Sequence, residues 1–271
     1  MSYYFVRTLI LEIKMCRLLG MVANQSVDLE FSLGRFKDFA RDNRDGWGVG
    51  WYENNTPRIF KQGISALNRE SELLRVSQSV RSRIFIAHVR EGTGAMPAER
   101  NSHPFAYKNW LFAHNGSVDR AFLLPRLREE YRRAIQGETD SEVYFYWLLQ
   151  NIIGCGNVLF GIEQAMKGVM PRPHTGLNFL LSDGRRLYAF RYAKRLKDYY
   201  SLYRLERKLA ESLPKESLSS KTNLLLRTTS IDQEKAVLVC SEKLTSEHWQ
   251  EIENGHILMI RPDLEIKELL L

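Results

Sequence analysis

The sequence predicts an α+β protein, and three observations carry that reading. Strand-like segments crowd both ends of the chain. Most helix-like segments fall between them, and the strands and helices do not alternate regularly as they would in a parallel βαβ design.

Taken in order, "CRLLGMVAN" is apolar and bounded by turn formers, so it reads as a strand. In "EFSLGRFKDFAR" (30–41), Phe31, Leu33, Phe36 and Phe39 recur at helical spacing. "GWGVGWYE" (46–53) and "RIFKQG", separated by Asn-Asn-Thr-Pro, predict a hairpin. "SRIFIAHVR" and "NWLFAHNG" are short strands of the buried type that end in polar residues. Helices are expected near 121–135, 140–153 and 157–169, the second with Asp140 or Ser141 as N-cap and Glu142 in its first turn.

The second half opens with "TGLNFLLSD" and "RRLYAFRY", a hairpin turning at Asp183-Gly184. A charged helix is expected next, around Lys194 to Lys208. "LLLRT", "AVLVCSE", "HILMIRP" and "LEIKELL" then read as strands.

With 271 residues, 44% hydrophobic and 26% charged, the chain is suited to one large domain. No Pro/Gly/Ser-rich linker divides it, and it holds no internal repeat. The net charge of +7 comes from 39 basic and 32 acidic residues. Its basic clusters, Arg126–Arg133 and Lys194–Lys208, are interleaved with acids, which describes solvated faces and not a nucleic-acid footprint. Three scattered cysteines form no CxxC, and six histidines show no ligand spacing, so no metal or other cofactor is expected. The same cysteine usage fits a reducing, cytoplasmic compartment. No apolar run approaches the roughly 20 residues of a membrane span.

Residues 1–15, "MSYYFVRTLILEIKM", form no signal peptide: Arg7 and Glu12 interrupt the apolar stretch and no small-residue cleavage site follows. They are expected to be an extension or pro-segment absent from the mature protein: either a genuine pro-segment or, the favoured reading, an over-called start with Met15 beginning the functional chain. Residues 16–271 would then form the single domain, and trimming of Met15 would make Cys16 N-terminal, with a thiol and a free α-amine together.

Cys16, "AHVREGTG" (87–94), "FAHNGS" (112–117) and "GETDSE" (137–142) each have an ordinary structural reading: a small buried residue, an ion-paired rim, a turn and a helix cap. Together they supply the chemistry of a pocket for an α-amino acid amide. A thiol attacks a carbonyl once a base takes its proton, and an α-amine with a pKa near about 7.7–8.0 is suited to that task. An Asn amide and the N–H of a following Gly donate to the resulting oxyanion. The fork of Arg90 matches an α-carboxylate, and Asp140 matches an α-ammonium.

These motifs, in this order, resemble the class II glutamine amidotransferases of the N-terminal-nucleophile hydrolase superfamily. The stand-alone subgroup beginning Met-Cys-Arg-Leu-Leu-Gly is the closer likeness. "NRDGWGVGWY" (43–52), "NSHPF" (101–105), "NFLLSDGRRLYAFRY" (178–192) and "VLVCSEKLT" (237–245) resemble that subgroup too. The resemblance spans about residues 15–262. It implies a four-layer αββα sandwich, with Cys16 as nucleophile and its α-amine as base. It further implies that Asn115 and Gly116 bind the oxyanion, Arg90 the glutamyl carboxylate and Asp140 the α-ammonium. His88, His103 and His114 receive no proton-transfer role, and Trp47 with its glycines either lets backbone approach the pocket or is a buried hairpin aromatic.

Larger members have Gly after the nucleophile where this chain has Arg17, as is usual in the stand-alone subgroup. "GAMPAER" (94–100) matches no single member and lies where a substrate-covering loop belongs. No synthase domain is expected after residue 262, so released ammonia would pass to a partner protein or the enzyme would simply hydrolyse. The expected substrate is glutamine or a γ-glutamyl peptide or conjugate, and the oligomeric state is not read. The alternative is a non-catalytic glutamyl-binding module, silent while residues 1–15 block the Cys16 amine. A cysteine peptidase with a histidine base is a more remote reading.

Overall fold

The computed structural model describes residues 16–41, 43–92, 94–208 and 235–271. The expected strand "LLLRT" and the 1–15 extension lie outside these residues.

Period-2 alternation along the strands builds the molecule. One sheet has seven strands in the order β11-β9-β10-β1-β4-β2-β3: β1 Arg17–Asp28, β2 Trp47–Glu53, β3 Thr56–Gln62, β4 Arg81–Val89, β9 Tyr203–Lys208, β10 Lys235–Cys240 and β11 Gln250–Glu251. The other has six, β13-β12-β8-β7-β6-β5: β5 Phe105–Tyr107, β6 Trp110–Val118, β7 His174–Ser182, β8 Leu187–Phe190, β12 His256–Ile260 and β13 Ile266–Leu270. All strand pairs are antiparallel.

Alternate residues face alternate layers. Leu18, Val22, Ile84, Ile86, Val237 and Val239 of the first sheet meet Leu111, Ala113, Leu180, Leu187, Ala189 and Leu258 of the second, forming a core between the sheets. The intervening residues of the first sheet, among them Leu19, Met21, Phe85 and Leu238, pack beneath α1 (Glu30–Phe36) and α2 (Leu73–Ser79). Those of the second, among them Phe112, Phe179 and Phe190, pack beneath α5 (Asp140–Cys155) and α6 (Val158–Val169). The result is a four-layer αββα sandwich, in which each fully buried Leu, Ile or Val contributes about 1.5–3 kcal/mol.

Several local expectations are revised. The charged segment after Tyr192 is not helical: it forms turns through Ser201 and then β9, whose Tyr203 and Leu205 pack on the first sheet. Pro125 splits the helix expected at 121–135 into α3 (Arg120–Leu123), a 3₁₀ turn and α4 (Glu129–Ala134). The N-cap of α5 is Thr139, whose hydroxyl accepts from the Glu142 N–H, and Asp140 is the first helical residue. The Asn54-Asn55 hairpin turn is present, both residues at positive φ. α2, β5 and β11 were not read from the sequence. No helix among the described residues is long and apolar enough to cross a membrane.

At one end of the sandwich the inward positions turn polar. β4 runs Ile84, Ile86, His88 and on to Arg90; β6 runs Leu111, Ala113, Asn115; β7, in the opposite direction, runs Leu180, Asn178. His88 and His103 stack here with ring centroids 4.2 Å apart, and neither ring has a hydrogen-bond partner. Burial, with the nearby Arg90 cation, holds His88 at about 3; burial alone, partly offset by Asp140, takes His114 to about 4. His103 is likewise pushed well down by burial.

Three outcomes are expected from this packing. Gly48 faces the other sheet so closely that a Cβ would lie 2.3 Å from the His103 carbonyl oxygen. Gly48→Ala should therefore lower stability in urea unfolding by about 1–3 kcal/mol. Gly34→Ala in α1, where a Cβ meets nothing within 4 Å, should raise it by up to about 1 kcal/mol. The three histidines are neutral when folded and protonate when unfolded below about pH 6.5. Stability should thus fall from pH 7 to 5, with about three protons taken up on unfolding near pH 5, measurable from urea midpoints across that range.

Candidate active site

Where the two sheets part at their polar end, a cleft of about 360 Å³ opens, within the range of small-molecule sites. Cys16, Arg90, Gly116 and Asp140 all line it, although 124 positions separate the first from the last in sequence. Glu91, Gly92, Gly94, Ala95, His103, His114, Arg120 and the start of α5 complete the wall.

Cys16 directly precedes β1. Its neighbour Arg17 pairs with Glu242, and Leu18 N–H donates to Ser241 Oγ at 3.0 Å, so the start of β1 is held to the segment that follows β10. The half-buried Sγ lies 3.4 Å from both the backbone N and O of Glu91. Burial pushes the thiol up to about 11, outweighing the Glu91 backbone contact and the nearby Arg90 and Arg17 cations. At neutral pH it is a thiol, and its use as a nucleophile requires a base. None of the histidines serves. His114 Nε2 donates to Gly176 O at 3.2 Å, which leaves Nδ1 to accept the Ser141 hydroxyl at 2.9 Å.

Arg90 continues the inward row of β4 and is almost wholly buried. Its guanidinium donates to Ala95 O at 2.6 Å and Asp45 O at 3.3 Å. Asp45 in turn accepts the Gly92 N–H at 2.7 Å, so "NRDG" and the "REGTG" turn brace one another. The 94–100 loop enters the site through Gly94 and Ala95, where the sequence placed a covering segment.

Asp140 opens α5, where a carboxylate also complements the helix dipole. Its Oδ2 accepts from Val118 N–H at 2.8 Å and its Oδ1 from Ser141 N–H at 3.0 Å, which ties the helix start to the end of β6. That strand carries a bulge between Gly116 and Val118, a common device beside a site. Gly116 has φ +136° and a Cβ there would lie 1.9 Å from Gly176 O, so no other residue fits. Asn115 is buried, and its side-chain N–H₂ has no partner, an uncommon state for a buried donor.

Sequence reasoning missed the supports behind this constellation. Asn178 donates to Tyr200 O at 3.1 Å and accepts from Tyr192 N–H at 2.9 Å. Arg191 holds Tyr200 O, Lys197 O and Ile252 O, anchoring the turn segment beyond β8. Both are polar residues at inward positions of apolar strands, and that phase was their readable signal. Arg120 carried no such signal. Cys240 is a buried core thiol, pushed up to about 12 by burial, and Cys155 ends α5. Among the described residues no cluster of three metal-ligating side chains occurs.

Comparison with known proteins places this geometry. The description "glutamine amidotransferases class-II" matches residues 15–268. An uncharacterised protein of Methanocaldococcus jannaschii is 30% identical over 262 residues, covering 91% of this chain and 69% of that protein. A γ-glutamyl-hercynylcysteine sulfoxide hydrolase of Mycobacterium tuberculosis is 34% identical over 148 residues, 54% of this chain and 58% of that enzyme. A glutamine aminotransferase class-II domain protein from Silicibacter pomeroyi has the same fold, with a TM-score of 0.64 at 23% identity over 94% of this chain and 99% of that one. With the family match spanning nearly the whole chain, the protein belongs to the class II glutamine amidotransferases.

Proposed function

We propose that the protein hydrolyses a γ-glutamyl amide bond through a thioester on Cys16, with glutamine or a γ-glutamyl peptide or conjugate as substrate. The observation that carries this reading is the convergence of Cys16, Arg90, Gly116 and Asp140 on one cleft, beside the unpartnered Asn115 amide. The reading requires Cys16 to be the N-terminal residue, with residues 16–271 as the working domain.

In the proposed reaction, the Arg90 fork receives the substrate α-carboxylate and Asp140 its α-ammonium, which brings the γ-carbonyl to Sγ. The Cys16 α-amine takes the thiol proton as sulfur attacks the carbonyl carbon. The oxygen that becomes negative accepts from the N–H donors of Asn115 and Gly116. The C–N bond then breaks, and the α-ammonium returns its proton to the leaving ammonia or amine. Water, losing a proton to the same amine, attacks the thioester; C–S cleavage reprotonates the thiol and frees glutamate. A thiol pushed up by burial leaves activation to a base, which supports this scheme. An α-amine that remains in peptide linkage has a delocalised lone pair and cannot act as the base. A partner protein that accepts ammonia belongs to the glutamine version of the proposal; a γ-glutamyl conjugate needs none.

N-terminal sequencing and intact mass of active protein should show Cys16 first, and a protein that is active with residues 1–15 attached overturns the α-amine mechanism. Cys16→Ala should abolish glutamate release from both glutamine and γ-glutamyl dipeptides. Asn115→Ala should lower kcat about 100- to 1,000-fold, the cost of removing one oxyanion donor, with KM changed far less. kcat/KM of the processed enzyme should rise with pH as the α-amine deprotonates near about 7.7–8.0.

A further inference from the structure

Besides Arg90, the cleft contains a second guanidinium, Arg120, at the start of α3. Arg120 is half-buried, and its Nε is fully shielded from solvent without a hydrogen-bond partner. A guanidinium offers five N–H donors in a planar fork and is costly to desolvate unless an anion meets it. Yet the described acids of the cleft wall and of its flanks are engaged elsewhere. Glu138 pairs with Arg100 at 3.0 Å and accepts from Asn101. Asp140 takes the Val118 and Ser141 N–H groups, and Glu91 accepts from Arg44 N–H. Burial pushes Glu142 up, the Arg120 charge is the least of the influences that oppose it, and its two oxygens accept from Gln136 and Gly137 N–H at 2.9 and 2.7 Å. Asp119, next in sequence, caps Phe122 N–H.

Resting on the hydrolase reading above, the count of charges becomes informative. A glutamyl group carries one α-carboxylate, and the Arg90 fork suffices for it. Glutamine has no other anion, so it would leave the shielded Nε of Arg120 without a partner in the cleft. We propose that Arg120 is a specificity-determining residue that binds a second carboxylate carried by the leaving amine. The preferred substrates are then γ-glutamyl compounds whose amine portion is itself an amino acid or a peptide with a free carboxylate, ahead of glutamine. A forked carboxylate–guanidinium pair formed in a desolvated cleft discriminates against the uncharged isostere because losing it strands the cation.

The test compares γ-glutamylglycine with γ-glutamylglycinamide, which differ only in that second carboxylate. The processed wild-type protein should prefer the free acid by tenfold or more in kcat/KM. In Arg120→Gln the two substrates should converge to within about twofold, and Arg120→Lys should restore part of the preference through its charge. Absence of a wild-type preference overturns the inference, as does a preference that survives in Arg120→Gln. An equal loss on both substrates also overturns it, because that pattern marks a reader of the glutamyl α-carboxylate or a structural residue. Calorimetric titration of Cys16→Ala with the same two compounds, with and without Arg120→Gln, reads the preference without turnover. Selective binding of the acid by a protein that turns over neither compound would sustain the role of Arg120 while removing the hydrolase reading.

Discussion

The face between the two sheets must be apolar along most of its length and polar at one end, and the rest of the structure depends on that switch. Close aliphatic packing at Ile84, Ile86, Leu111 and Leu180 holds the sheets together with no polar group to satisfy. Farther along the same inward rows the buried side chains turn polar at His88, Asn115 and Asn178, and beside them the cleft opens, with Arg90 in its wall. Because strand side chains alternate strictly, slipping β4 or β6 by one residue would send Arg90 or Asn115 into the wrong layer. The register that buries the core is thus the register that assembles the site. Stability and site geometry share one constraint.

That coupling explains the dense support behind so few reacting groups. Arg90 and Asp45 brace one turn, Asp140 ties α5 to β6, and Arg191 with Asn178 anchors the segment through Tyr200. Each support satisfies backbone groups that the parted sheets would otherwise leave unpaired. The buried Asn115 amide, like the Arg120 Nε, has a donor left open. An unused donor in a folded interior is a cost, and it is offset where a ligand oxygen arrives to accept from it. The stacked, neutral His88–His103 pair adds a further polar layer, with His103 in the cleft wall and neither ring hydrogen-bonded to the thiol.

Much of this was legible before any coordinates. Strands such as "RIFIAHV" and "WLFAHNG" carry an apolar phase that ends in polar residues, and that phase marked both the sheets and the site. The reading failed where local signals were ambiguous. The segment 194–208 has the charge density of a solvated helix, yet β9 forms there because pairing with β10 buries Leu205, a long-range gain that no local window contains. Thr139 displaced Asp140 as the N-cap for a related reason: Asp140 is engaged by Val118 N–H from a different strand.

The sequence by itself determined the α+β class, the order of the motifs, and the residue types that a γ-glutamyl site would use, since period-2 patterning and side-chain chemistry are properties of short stretches. Only the tertiary structure decided that Cys16, Arg90, Gly116 and Asp140 share one cleft, that the thiol is raised by burial, and that Arg120 joins them without an anion of its own. Desolvation and pairing depend on which distant segments meet, and the packing of the two sheets alone sets that.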